Sequence, residues 1–316
     1  MGFFSSIFGT PTPSEAGKFD TLRDDGVRAM QMGELPYAEK CFKAALEIHA
    51  DDKVSALLAE AYLRMRNYEA ALPLLENLCS ANPDALELHL LLAQTQGELQ
   101  HYASQHDTCA AVLARHPEEP RALYLAAEAD FGLDNPIQAV ALLTQSLTLR
   151  PDYHSARQLR ARVLAAMGQW NEALADADEL VRAEPENEDY LHLRAEAHAA
   201  LGRTAEAVTD LETLRALNPF NESAVLLLGA LYEQTTHWDK ALALYDEAID
   251  LQPCFAAAYK ARGGVKHHLK DDAGAADDLK RSLELAPETS ARLDGEYTNV
   301  ENEMNAKYRS MNPYGF

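Results

Sequence analysis

Residues 151–185 read PDYHSARQLRARVLAAMGQWNEALADADELVRAEP, a stretch that opens and closes on proline. The same residue stands at Pro83, Pro117, Pro151, Pro185, Pro219, Pro253 and Pro287, each 34 residues after the last. A period of that length is too long for a coiled coil and suits a helix-turn-helix unit, in which the proline blocks continuation of one helix pair into the next. The chain is therefore one unit copied along its length, and its function belongs to a repeated surface.

Other positions keep the same count. Small residues recur at Ala59, Ala93, Ala127, Ala161, Ala195, Gly229 and Gly263, and again at Ala71, Gln105, Ala139, Ala173, Ala207, Ala241 and Ala275, with one glutamine in the second series. Helix axes approach to about 8–10 Å where the side chains at the crossing are short, so the two series mark where the helices of a unit meet. Two residues before the first series runs a leucine ladder, Leu57, Leu91, Leu125, Leu159, Leu193 and Leu227. It reads as packing between helices. A first unit, slipped by one residue, shows Gly26, Gly33, Ala38, Phe42 and Ala45.

This pattern resembles the tetratricopeptide repeat, whose units carry small residues on both helices, an aromatic near the second and a closing proline. Trp170, Trp238, Tyr68 and Tyr102 take the aromatic turn position, and Tyr62 and Tyr232 the tyrosine position of the first helix. The resemblance covers about residues 19–289, read as eight repeats. It implies an all-α, right-handed superhelical solenoid. Gln96, Asp130 and Lys266 replace the family's tyrosine, so the third, fourth and eighth units are expected to pack less regularly. Residues 1–18 read as an apolar arm with a Pro/Thr linker, and residues 290–316 as a capping helix and tail.

Apolar residues make up 47% of the 316, enough to bury every layer of such an array. The net charge of −22 argues against nucleic acid, which needs a basic stripe to displace counterions. Cys41, Cys79, Cys109 and Cys254 share no CxxC spacing and read as buried free thiols of a reducing compartment, with the cytoplasm as the default location. No stretch reaches membrane-spanning length. The one segment suited to membrane contact is the arm, whose Met1-Gly2-Phe3-Phe4-Ser5-Ser6 also fits the N-myristoylation pattern.

No catalytic constellation emerges. Asp130-Phe131-Gly132 stands without the glycine-rich loop, strand lysine and catalytic loop that give that tripeptide meaning in kinases. The phosphate-binding, esterase, zinc-protease and dinucleotide motifs are missing from the sequence, so no cofactor or metal is expected. His267 and His268 are neighbours that point apart on a helix, and Glu184, Glu186, Glu188 and Asp189 read as a solvated edge.

The resemblance implies a groove lined by first helices that binds a protein or peptide. Counting from the small residues places Tyr124 with Glu128, Gln158 with Arg162, and His192 with Glu196 on its exposed stripe, with Gln94, Arg121 and Phe131 extending it. These are expected to face solvent and to carry partner binding, since aromatics and arginine anchor most interfaces. The family's clamp for chaperone tails needs asparagines that this sequence lacks. The favoured function is a non-catalytic scaffold. A self-assembling or membrane-proximal module and a regulatory subunit of an enzyme complex stay open, as does the oligomeric state.

Overall fold

The computed structural model describes residues 14–286. Among them are sixteen helices and no strand, in two compact units, the first running to Met167 and the second from Gly168. In the first unit α1 (Glu15–Met32) pairs with α2 (Leu35–Ile48), α3 (Asp52–Arg64) with α4 (Tyr68–Ala81), α5 (Leu86–Glu98) with α6 (Tyr102–Arg115) and α7 (Pro120–Gly132) with α8 (Pro136–Leu149), followed by α9 (His154–Ala166). The second unit opens with α10 (Trp170–Ala183). Its hairpins are α11 (Glu188–Ala200) with α12 (Thr204–Leu217), α13 (Glu222–Gln234) with α14 (Trp238–Leu251), and α15 (Ala256–His268) with α16 (Asp272–Leu285). The helical repeat is as expected. The capping helix lies outside the described residues, as does most of the N-terminal arm.

The hairpins close because the small residues are where they were read to be. Ala93, Ala127, Ala139, Ala195, Ala207 and Ala241 are fully buried. A Cβ on Gly263 would lie 3.2 Å from the Ala275 carbonyl oxygen, so α15 and α16 approach backbone to backbone there. At Gly229 the space is taken instead by Tyr245, a buried ring whose hydroxyl donates to Glu233 (2.9 Å) and would overlap any added methyl. Larger apolar side chains fill the layers between: Phe42, Val54 and Leu75 in the first unit, Leu211, Leu214 and Leu228 in the second.

Each hairpin turn needs one left-handed residue, and these form a further 34-residue series: Arg66, Gln100, Asp134, Gly168, Gly202, Thr236 and Lys270, with φ between 55° and 74°. The chain then folds back on the helix end. Thr236 N–H donates to Glu233 O (2.9 Å) and His237 N–H to Tyr232 O (2.8 Å), satisfying carbonyls that would otherwise be orphaned. Glycine occupies this position at Gly168 and Gly202 alone in the series, so the other turns carry a steric cost from their Cβ.

At Gln96, Asp130 and Lys266, where less regular packing is expected, the helices still form pairs and polar groups meet across them. Gln96 and Asp130 are only 4% and 3% exposed. Their polar groups meet partners on the second helix: Thr108 Oγ1 donates to Gln96 Oε1 (2.9 Å), and His106 Nδ1 lies 3.1 Å from Asp130 Oδ1. Lys266 Nζ reaches Asp278 Oδ2 at 2.8 Å. Gln96 and Lys266 thus come with partners, whereas Asp130 Oδ2 and His106 Nδ1 have no hydrogen bond among the described residues. Cys41, Cys79 and Cys109 are buried as expected, whereas Cys254 is exposed in the turn after α14.

The second unit also carries two arginine clamps. Arg194 on α11 grips Asp210 on α12 with Nε and Nη2 (2.9 and 2.6 Å) and reaches Asp178 on α10. Two repeats later Arg262 does the same to Asp278 (2.8 and 2.6 Å) and bonds Asp246 on α14 (2.7 Å). Each guanidinium thus ties three successive helices. Burial alone pushes the Asp278 carboxyl up, but bonds from Arg262 and Lys266 outweigh it and hold it below the ordinary carboxylate range.

Two outcomes are expected. Thr236→Gly relieves a β-branched residue of its left-handed strain and should raise stability by about 1 kcal/mol in denaturant titration. Arg262→Met leaves the Asp278 carboxylate buried beside Lys266 alone and should cost about 3 kcal/mol at neutral pH. Because the folded carboxyl of Asp278 is depressed, its contribution is complete above the unfolded value of about 3.9 and fades as pH falls through the lower folded value. The difference between Arg262→Met and the parent chain should therefore shrink in acid; a difference constant from pH 7 to pH 2 would contradict the assignment.

Candidate functional site

On α5, residues Glu87, Leu90, Leu91, Gln94, Gly97 and Glu98 recur every three or four positions and so share one face. Arg121, Tyr124, Leu125 and Glu128 do the same on α7. The two faces enclose a cleft of about 560 Å³, lined further by Gln100 of the α5–α6 turn, Tyr102 at the start of α6, and Tyr153 and Ser155 at the start of α9. A neighbouring hollow of about 290 Å³ between α3 and α5 shares Leu91 and Gln94 with it, so open space runs across three first helices.

Arg121 is fixed before any partner arrives. Its Nη1 and Nη2 donate to the two oxygens of Glu87 (2.9 and 2.7 Å), one repeat earlier in register, and its Nε to Glu119 (2.9 Å). The guanidinium holds both carboxyls below the usual range. Tyr124 packs its ring on Tyr153, centroids 5.4 Å apart, and the guanidinium of Arg150 lies 4.9 Å from the Tyr153 ring centroid. Burial, then the nearby Glu128 carboxylate, pushes the Tyr124 phenol up to about 12, so it keeps its proton as a hydrogen-bond donor. Its hydroxyl has no hydrogen-bond partner among the described residues.

Beneath the cleft lies the one glutamine of the small-residue series. Gln105 is fully buried; its Nε2 donates to Glu128 Oε2 (2.7 Å), while its Oε1 has no partner. Gly97 makes room for this pair, since a Cβ there would stand 2.6 Å from Gln105 Nε2 and 2.9 Å from Glu128 Oε2. Burial raises the Glu128 carboxyl, the Gln105 bond lowers it, and the charge of Glu98 raises it again. Two carboxylates therefore face the same space with only a neutral amide between them and the core.

Of the sequence-predicted site residues, Gln94, Arg121, Tyr124 and Glu128 come together in this cleft. Tyr124 and Glu128 are half-buried rather than fully solvent-facing. Phe131 packs into the core around Ala127, Ala139 and Leu143 and does not extend the cleft. Gln158 and Arg162 stand on α9 outside the cleft lining, although the charge of Arg162 bears on Tyr124. His192 and Glu196 belong to the second unit, where they form an i,i+4 pair at 3.5 Å.

Sequence reasoning missed Glu87, Glu98, Tyr102 and Tyr153 as members of the site. Register alone would have found Glu87, which is Arg121 moved back by one repeat. Leu91 was read as packing, yet it is 38% exposed in the cleft. A residue two positions from the crossing lies about 200° round the helix, on the side away from the second helix.

Models of the tetratricopeptide repeat match residues 52–95, 131–197, 193–253 and 226–288. No curated protein sequence matches the chain. Among solved structures, a tetratricopeptide repeat protein from Parabacteroides merdae ATCC 43184 is similar over 84% of this chain and 99% of its own, with a TM-score of 0.62 and 17% identity. MamA 41-end from Desulfovibrio magneticus RS-1 is similar over 54% of this chain and 96% of its own, with a TM-score of 0.51 and 18% identity. At such identities the likeness concerns the fold.

Since the Gln105 amide is what pulls Glu128 down, Gln105→Leu should move the Glu128 carboxyl further up, as read by carbon-detected NMR titration of labelled glutamate. An unchanged titration would mean that the Gln105 bond does not set the charge state in the cleft.

Proposed function

The chain belongs to the tetratricopeptide repeat family, and on that footing we propose that it is a non-catalytic scaffold that receives an extended segment of a partner protein between α5 and α7. One observation carries the reading. In a single cleft stand a tyrosine hydroxyl and two carboxylates with no ion pair or saturated bonding among the described residues, beside an arginine already bonded to two carboxylates. Groups left in that state on a rigid pair of helices are disposed for binding, and aromatic side chains in part-buried pockets supply most of the energy where proteins meet. The adjoining hollow across α3 suits an extended segment better than a small molecule.

Support for a binding rather than a chemical role comes from the thiols. Burial pushes Cys79 up to about 11 and Cys109 up to about 12, so neither is a nucleophile near neutral pH. Such thiols suit a reducing compartment, and we place the protein in the cytoplasm. Residues 19–289 are taken as eight repeats, with the arm before them and the cap after. Among the described residues no helix is long and apolar enough to cross a membrane.

Filling the cleft tests the proposal. Leu91→Arg with Gln94→Arg adds bulk at two exposed positions and should leave the melting transition within a few degrees. Partners recovered from lysate with the parent chain should bind at least about thirtyfold more weakly, the loss of roughly 2 kcal/mol that follows removal of an anchoring contact. Retention of every partner at parental affinity would move the search to other faces of the repeats.

A further inference from the structure

We infer that the partner segment presents a lysine or arginine to this cleft, with its alkyl stem on the Tyr124 ring and its cation shared by Glu98 and Glu128. The inference rests on the cleft being the docking surface. It concerns what chemistry the cleft accepts.

The charges lining the cleft are unequal. Three carboxylates, Glu87, Glu98 and Glu128, stand against one guanidinium, Arg121. That guanidinium is largely committed, because Nη1, Nη2 and Nε already donate to Glu87 and Glu119 and its charge is met by two carboxylates of the chain, with one N–H of Nη1 left over. The Glu87 charge is spent in the same way. What remains is Glu98, exposed at the end of α5, and Glu128, bonded through one oxygen to an uncharged amide. They are close enough for one charge to raise the other's carboxyl. Arg162 influences Tyr124 from α9, but it makes no ring contact with it and no ion pair with Glu98 or Glu128 among the described residues.

The protein shows elsewhere what a tyrosine with a neighbouring carboxylate holds. Lys43 lies 5.6 Å from the Tyr62 ring centroid and bonds Glu39, which also accepts from the Tyr62 hydroxyl. Lys240 lies 5.5 Å from the Tyr232 ring, whose hydroxyl donates to Glu212. Arg262 lies 5.3 Å from the Tyr259 ring while bonded to Asp278. Each of these sites is occupied by a cation of the chain itself. Tyr124 likewise has carboxylates near it, Glu128 and Glu98, but without the hydroxyl bond made by Tyr62 and Tyr232 and with no cation of the described residues over its ring. Cation–π attraction and a pair of carboxylates in a half-buried space both favour such an occupant over an anionic or purely apolar one. The net charge of −22 draws basic segments toward the surface but does not choose the cleft.

The test pans a phage-displayed library of random nine-residue peptides against the full chain at physiological salt, then measures selected peptides by fluorescence anisotropy. Three variants are compared with the parent: Glu98→Gln with Glu128→Gln, the charge-matched control Glu69→Gln with Glu76→Gln on α4, and the blocked chain carrying Leu91→Arg and Gln94→Arg. Selected peptides should share a lysine or arginine whose acetylation or replacement by norleucine costs at least tenfold. The cleft pair should lower affinity at least tenfold and the control less than twofold. Equal losses in cleft and control variants would reduce the effect to general acidity and overturn the inference. Selected peptides that lack a basic residue yet lose binding in the blocked chain would overturn it while leaving the docking surface intact. A library yielding no binder sensitive to the block would overturn both.

Discussion

The close approach of two helices at a pair of small residues is the constraint from which the rest follows. Where Ala127 meets α8 or Gly263 meets Ala275, no side chain separates the helices, and each hairpin becomes a rigid slab. A slab of this kind buries one face internally and must bury another against the next slab, which is why the period is kept so strictly. The first helices are then left with one stripe that neither contact uses. In the first unit that stripe, on α5 and α7, is the wall of the cleft.

The cleft appears where the constraint is relaxed. Gln105 occupies a position that is otherwise alanine, and its amide reaches through the space over Gly97 to Glu128. A side chain of that length at a crossing costs a buried, unpartnered oxygen. Natural chains break a local rule mostly where function benefits, and here the break sits directly under the groups that face solvent without a partner. The neighbouring pairs Thr108 with Gln96 and His106 with Asp130 belong to the same polar seam between α5, α6 and α7. The third hairpin is thus the least repetitive of the first unit and the one with the most to offer a partner.

Much of the fold was legible because it is written in identity and spacing: prolines and alanines recur at a fixed count, and the helices fall where that count puts them. The left-handed turn series was hidden, since Arg66, Gln100, Asp134, Thr236 and Lys270 give no glycine to see. The arginine clamps were hidden for another reason, as Arg194 and Arg262 share a register position with Arg160 but not with Leu228 and look like ordinary surface charge. For the site, spacing alone brought Gln94, Arg121, Tyr124 and Glu128 to one cleft. It could not tell Phe131, turned into the core, from its neighbours on the stripe, because one helical position decides which way a ring points.

Hydrogen exchange of the full chain, followed by mass spectrometry with and without a bound peptide from the library, addresses the cleft most directly. Binding there should slow exchange in segments 86–98 and 120–132 and leave the second helices α6 and α8 as they were, because the cleft is built from first helices. Protection confined to α6 and α8, or to the second unit, would place the partner elsewhere and contradict the cleft as the docking surface.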